Sequence, residues 1–265
     1  MSQPAPAAEP VKTRSPARRR AAAGGGAATA LLAAAGYAGP AITSWPRLRA
    51  RLLPGLAGIG RPDHIALTFD DGPDLVSTPA FLEALAASGT RATFFLLGSM
   101  LVKAPELGRE LVAAGHEVAV HGWEHRYTTF RAPGALYDDV ARTRDLIGDV
   151  TGRRPVFFRP PYGVLSAGSL SVARRLGLRT VLWTAWGRDW EERATPRSVL
   201  ATVTRDLAGG GTVLLHDSDC TSAPRAWHSA LGALPMLLDE CAGRGLRVGP
   251  LAEHFAAAGP GGSSR

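Results

Sequence analysis

From His64 onward the chain alternates short apolar runs with amphipathic ones, and that alternation restricts its fold more than any other feature. Seven runs have strand character: 65–69, 92–97, 117–120, 156–159, 179–183, 212–216 and 246–248. Helical patterns lie between them. Thr78-Pro79 reads as an N-cap followed by a first-turn proline, with Phe81, Leu82 and Leu85 on one face and Gly89 as the stop. Leu107, Leu111 and Val112 mark a second helix ending at Gly115, and Tyr137 to Val150 form a third. Thr195-Pro196 repeats the opening signature before Val199, Leu200 and Val203. Strands that alternate with helices pair in parallel through crossover connections, which predicts an α/β barrel rather than a sandwich.

Charge divides the chain. Residues 1–61 carry nine Lys/Arg against one acid, net +8, whereas the remainder carries 21 against 22, net −1. The body therefore lacks the basic face a nucleic-acid partner would need. Three parts are expected: a basic, Ala/Gly-rich tail over 1–61, a catalytic body over 62–256, and a loose tail over 257–265. Within the first, Arg18-Arg19-Arg20 precede an uncharged stretch from Ala21 to Ala41, the pattern of an export signal or membrane anchor. Trp45 to Leu53, with Arg47, Arg49 and Arg51 among apolar residues, suits an anionic membrane surface. A cell-envelope location is expected on these grounds, and the protein is expected to be a monomer. Cys220 and Cys241 set no disulfide framework and are read as free thiols.

In a parallel barrel the C-terminal strand ends converge on one mouth. Asp70 and Asp71 end the first strand, and adjacent carboxylates repel unless a cation sits beside them, for which a divalent metal is the usual answer. His121 and His125 follow the third strand, four residues apart as on one face of a helical turn, so both would reach one ion. Arg159-Pro160-Pro161-Tyr162-Gly163 follows the fourth, Asp189-Trp190 trails the fifth, and His216-Asp217 ends the sixth. A lone Asp-Asp-Gly-Pro is a turn, but five polar clusters at one topological level predict a metal-dependent hydrolase. His64, His116, His228 and His254 are read as structural, and Asp217 as a support for its strand end.

These five segments, Thr-Phe-Asp-Asp-Gly-Pro (68–73), His-Gly-Trp-Glu-His (121–125), Arg-Pro-Pro-Tyr-Gly (159–163), Asp-Trp (189–190) and Leu-Leu-His-Asp (214–217), resemble in order and spacing the motifs of the polysaccharide deacetylase family, the NodB-homology or carbohydrate-esterase-4 type. The resemblance covers residues 62–256. It implies a distorted (β/α)7-type barrel that removes N-acetyl or related acyl groups from a glycan or amino sugar, with one divalent metal, Zn²⁺ in most members and Co²⁺ or similar in some. It further implies that Asp71, His121 and His125 hold the metal, that Asp70 is the general base toward the attacking water, and that Arg159 pairs with Asp70. The Tyr162 backbone N–H would face the oxyanion. His216 would be the general acid, oriented by Asp189, while Trp190 and Leu214 would wall the pocket for the acyl methyl.

The chain departs from the family pattern twice. Gly122 stands where a Ser or Thr usually braces the metal loop, and Trp186 stands where a further Asp commonly precedes Asp189 by three residues. With Trp183 and Trp190, Trp186 offers an added stacking surface. Two other functions share these residues: a C–N hydrolase of a small non-sugar amide, and a non-catalytic, membrane-tethered glycan-binding protein. Keeping both Asp70 and His216 speaks against the second, since binding alone needs neither base nor acid.

Overall fold

The computed structural model describes residues 45–256, and singly Gly36 and Gly39. The tail 257–265 and, apart from those two glycines, the expected signal over 21–41 lie outside the described residues. Two short helices, α1 (Pro46–Leu52) and α2 (Pro54–Ala57), precede the first strand. Then come β1 (His64–Asp70), α3 (Thr78–Ala87), β2 (Thr93–Leu97), α4 (Gly98–Lys103), α5 (Pro105–Ala113), β3 (Glu117–Gly122) and α6 (Pro133–Thr151). The second half comprises β4 (Phe157–Phe158), α7 (Ala167–Arg175), β5 (Arg179–Thr180), β6 (Ala185–Trp186), α8 (Pro196–Asp206), β7 (Thr212–His216), α9 (Trp227–Gly243), β8 (Arg247–Gly249) and α10 (Leu251–Phe255). All pairings are parallel, in the order β5-β4-β3-β2-β1-β7-β6, with β8 on β1. This is the distorted barrel of alternating strands and helices.

The pleat decides which side chains face the helices and which face inward. On β1, Ile65, Leu67 and Phe69 join the large core under the helices, whereas Ala66 joins a separate inner cluster with Phe95, Ala119, Phe157, Val181 and Leu251. Phe69 is held between Phe81 of α3 and Phe94 of β2, at 5.1 and 5.0 Å between ring centroids. Burying each such ring contributes about 1.5–3 kcal/mol. Asp70 continues the inward row of Ala66, His121 that of Ala119, and His216 that of Leu214. The period that builds the core thus aims these polar residues at the barrel mouth.

Eight strands form where seven were expected, because the run 179–183 breaks. Val181 N–H still bonds Phe158 O, but Leu182 N–H turns to Leu56 O and Thr184 N–H to Thr212 O. The carbonyls of this stretch go to arginines instead of a ladder: Arg159 takes Val181 O and Leu182 O, and Arg49 takes Trp183 O at 2.5 Å. Strand pairing resumes at β6, against β7. Likewise the fourth run pairs only over Phe157–Phe158 before its Pro-Pro turn.

Thr195 caps α8 as read, in a reciprocal capping box with Ser198. Thr78, by contrast, is not a cap. The N-cap is Ser77, and Thr78 lies one residue inside, its hydroxyl donating to Asp217 Oδ2 at 2.6 Å and accepting from Asp74 N–H.

Residues 45–60, N-terminal to the 62–256 body, pack against it. Ala57 is fully buried, Gly60 N–H bonds Gly210 O, and Gly58 O accepts from Thr212 Oγ1 and meets His254 Nε2. Arg49 points into the body and is 2% exposed, while Arg47 and Arg51 remain on the surface. Among the described residues no helix is long and apolar enough to cross a membrane. Both cysteines are free, Cys241 buried in α9 and Cys220 exposed.

Candidate active site

The inward rows meet in a cavity of about 220 Å³ whose wall includes Asp70, His121, His125, Tyr162, Trp190, Leu214 and His216. Of the other residues singled out from sequence, Asp71 lies behind the histidines, and Arg159 and Asp189 are buried beneath the wall. All ten are therefore gathered at one strand end.

Asp71, His121 and His125 present three ligand atoms within 4.8 Å of one another. Asp71 Oδ1 lies 3.3 Å from His121 Nε2 and 3.5 Å from His125 Nε2, and it is buried without a hydrogen-bond partner. A buried, unpartnered carboxylate oxygen is costly unless a cation completes it. This donor set, one carboxylate and two imidazoles, fits a divalent metal such as zinc with a coordination position left open. The imidazoles do not share a helical face. His121 ends β3, and His125 is brought back by the loop that follows, so the four-residue spacing works through a turn.

Neighbours fix the donor orientation. His121 Nδ1 donates to Arg159 O at 2.8 Å, which leaves Nε2 as the lone pair facing Asp71. Burial alone would lower the His121 pKa, but Asp70 and Asp71 raise it above the ordinary imidazole value in the metal-free protein. His125 is pushed down to about 4 by burial, so its imidazole is neutral and available. Burial would raise Asp71, yet the His121 imidazole close to Oδ1 holds it below the usual carboxylate range in the metal-free protein. Thr221 Oγ1 donates to Asp71 Oδ2.

On β1, in register with His216 of the adjacent β7, Asp70 Oδ1 accepts from Arg159 Nη1 at 2.6 Å, and the same nitrogen donates to Thr68 Oγ1 at 2.9 Å. Arg159 is fully buried, its guanidinium 4.0 Å over the Phe95 ring, and every partner named here is also buried. His216 is clamped at two points by one carboxylate: its backbone N–H donates to Asp189 Oδ2 at 2.7 Å, and Nδ1 meets Oδ1 at 3.1 Å. Burial works against its charged form, but Asp189, joined by Asp71 and Asp70, outweighs it and raises the His216 pKa to about 10. The site thus holds a carboxylate acceptor and a protonated imidazole donor at one cavity.

Tyr162 takes a left-handed backbone (φ 60°, ψ 2°) in the turn after β4. Its ring stacks on Tyr127 at 4.0 Å and meets His125 edge-on at 4.2 Å. Gly163 is forced by contact as well as by its φ of +65°, since a Cβ there would come 2.5 Å from the Trp183 ring. Three of the four histidines read as structural pack away from the mouth: His64 and His254 face each other at 3.1 Å, and His116 accepts from Ala92 N–H, while His228 is exposed near the start of α9.

Asp139, Thr221 and Ser229 escaped sequence reading. Asp139, on α6, accepts from Trp123 N–H at 2.9 Å and holds the loop between the two histidines. Ser229 donates to Asp189 O at 3.2 Å. Nothing local to the sequence marks these residues, because each reaches the site from an element distant in the chain.

Known proteins share the sequence pattern and the fold of this chain. Residues 57–181 match the polysaccharide deacetylase family. The peptidoglycan-N-acetylglucosamine deacetylase PgdA of Listeria monocytogenes is 36% identical over 163 residues, 60% of this chain and 34% of that protein, so the chain spans about a third of that relative's length. The chitooligosaccharide deacetylase of a Bradyrhizobium species is 33% identical over 71% of this chain and 88% of its own. Among solved structures, a family 4 carbohydrate esterase from Streptomyces lividans in complex with acetate superposes with a TM-score of 0.66 at 34% identity, covering 75% of this chain and 98% of that one. The superposed barrel and the near full-length coverage of the second relative agree, and the chain belongs to the polysaccharide deacetylase family.

Proposed function

We propose that the protein is a metal-dependent hydrolase that removes the N-acetyl group from an amino sugar of a glycan. The observation that carries this reading is the pairing at one cavity, from adjacent strands, of Asp70, anchored by Arg159, with His216, charged through Asp189. A divalent ion held by Asp71, His121 and His125, zinc by donor type, supplies Lewis-acid polarisation of the acyl carbonyl and a more acidic water. Asp70 accepts the proton of the attacking water, and Arg159 and Thr68 hold its carboxylate in place. The Tyr162 N–H stabilises the developing oxyanion. His216 donates its proton to the leaving nitrogen, because an amide anion is too basic to depart unaided. Leu214 and Trp190 enclose the acyl methyl. Deacetylase relatives named for peptidoglycan and for chitooligosaccharide support a glycan substrate, and the former support action at the cell envelope.

Full-length protein reconstituted with zinc should release acetate from N-acetylglucosamine oligomers or peptidoglycan in preference to small amides. Release from small amides alone would reject the glycan, and release that persists in Asp70→Asn would reject the assigned base.

A further inference from the structure

The parallel sheet has an open seam. Its order runs from β5 at one edge to β6 at the other, and among the described residues no pairing joins the two. Residues 181–184 cross that seam, and the segment ahead of β1 closes it. Leu56 O accepts from Leu182 N–H at 2.8 Å, and the Leu56 side chain packs on Leu165, Leu182, Trp183 and Leu214. Arg49 Nη2 donates to Trp183 O at 2.5 Å. Both residues lie ahead of residue 57, where the match to the family begins.

We propose that Arg49 is a positioning residue for the catalytic site, acting through Trp183 and Arg159 on Asp70 and on the turn that carries Tyr162. This rests on the reading of Asp70 as the base. Two arginines hold three successive carbonyls. Arg159 Nε and Nη2 take Val181 O and Leu182 O at 3.2 and 3.1 Å, and Arg49 takes the next, Trp183 O. With Nε and Nη2 committed, Nη1 is the nitrogen that Arg159 presents to Asp70 Oδ1 and Thr68 Oγ1. The aim of the Asp70 carboxylate therefore depends on where the carbonyls of 181–183 stand. Leu182 and Trp183 belong to no strand, so no ladder fixes those carbonyls and the side-chain bonds must. The Trp183 ring lies 5.6 Å from each guanidinium, and it fills the space that a Cβ on Gly163 would need, one residue from the Tyr162 N–H. Arg49 is a costly choice for this place. Burial and then the charge of Arg159 press its pKa down to about 10. Packing alone would be served better by an apolar side chain, whereas a charged donor holds a carbonyl more strongly than a neutral one.

The test compares full-length, zinc-loaded Arg49→Met with Thr212→Val. The second variant removes the hydroxyl bond to Gly58 O, so it loosens the same N-terminal segment while the bonds to the 181–183 carbonyls stay in place. Turnover is counted per folded, zinc-bound molecule, on an N-acetylglucosamine oligomer and on an activated aryl acetate. Arg49→Met should lower kcat about 10–100-fold on both substrates with KM nearly unchanged, the scale of misplacing a reacting group by about an ångström. Thr212→Val should change neither constant. Arg49→Gln, too short to reach Trp183 O, should behave as Arg49→Met does. A crystal structure of either Arg49 variant should show the Arg159 guanidinium displaced from Asp70. Wild-type kcat in a folded Arg49 variant, an equal loss in Thr212→Val, or Arg159 unmoved on Asp70 overturns the proposal. Failure of both Arg49 variants to fold overturns it as well, and makes Arg49 a folding residue. Failure of the deacetylase reading looks different: wild-type protein releases no acetate from the oligomer, while Arg159 is still displaced in the variant crystal structure.

Discussion

Thr221 Oγ1 donates a 2.5 Å hydrogen bond to Asp71 Oδ2, which leaves Oδ1 as the carboxylate oxygen facing both imidazoles. The loop after β7 therefore sets how the Asp71 carboxylate is presented. Asp71 itself sits at φ 79°, a left-handed backbone that strains a residue with a Cβ and persists only where surrounding contacts enforce it. Thr221→Val removes the donor while keeping the shape. Zinc affinity, measured by chelator competition, should fall about 10–100-fold, the usual cost of losing an outer partner of a ligand. An unchanged affinity would mean that the backbone alone orients Asp71.

Gly122 stands where the family commonly has a hydroxyl. Its φ is +119°, and the support expected from a side chain at 122 comes instead from Asp139, bonded to Trp123 N–H and paired with Arg131. Restoring the usual residue by Gly122→Ser should thus destabilise the fold by about 1–3 kcal/mol, from backbone strain. Urea unfolding reads this directly. A stabilised variant would show that the loop relaxes to another backbone.

Arg159 is buried against Asp70, and its remaining donors satisfy the carbonyls that interrupt the fifth strand. Arg159→Met should cost about 3–5 kcal/mol, because it strands a buried carboxylate. It should also abolish turnover. Adding Asp70→Asn to that background should restore part of the stability and none of the activity. Additive losses in the double variant would show that the pair is not coupled.

The link from Asp189 to His216 predicts a pH profile. The folded pKa of about 10 lies above the ordinary 6.5, so the charged pair stabilises the metal-free protein fully below about 6.5, and that contribution is lost as pH rises through about 10. Activity follows the same proton, since the donor must be charged. Asp189→Asn removes the main charge that raises His216, and burial then lowers it. The alkaline limb of kcat should move down by at least one pH unit. An unmoved limb would assign that ionisation to another group.

Strand positions and site residues were legible because both follow a period of two: Phe69 is core and Asp70 is site for the same reason of alternation. The break at residues 181–184 was not legible, since nothing in Val-Leu-Trp-Thr says that Arg49 and Arg159, 134 and 22 residues away, will take its carbonyls. Thr78 looked like a cap because Pro79 follows it, but its hydroxyl is claimed by Asp217 across the barrel. The imidazole pair was found by spacing and given the wrong local geometry, because a strand end followed by a turn brings residues four apart together as well as a helix does. Support for the site from Thr221, Asp139 and Ser229 is tertiary throughout.

Proton transfer gives the sharpest separation of roles. Asp70 must accept a proton from water in every acyl transfer, whatever leaves, whereas His216 matters only in proportion to how badly the leaving group needs a proton. With an N-acetyl sugar, both Asp70→Asn and His216→Ala should cost about 10²–10⁴-fold in turnover, the usual range for one acid–base partner. With an activated aryl acetate the phenolate departs without help, so His216→Ala should cost far less while Asp70→Asn stays as damaging. Bound zinc, assayed in both variants, should be retained, since neither residue is among the three ligand atoms. If losing His216 is equally costly for ester and amide, it acts on formation of the tetrahedral species and not on its collapse. If Asp70→Asn keeps near-wild-type rates on both, the base lies elsewhere and the arrangement of Arg159 with Asp70 is structural.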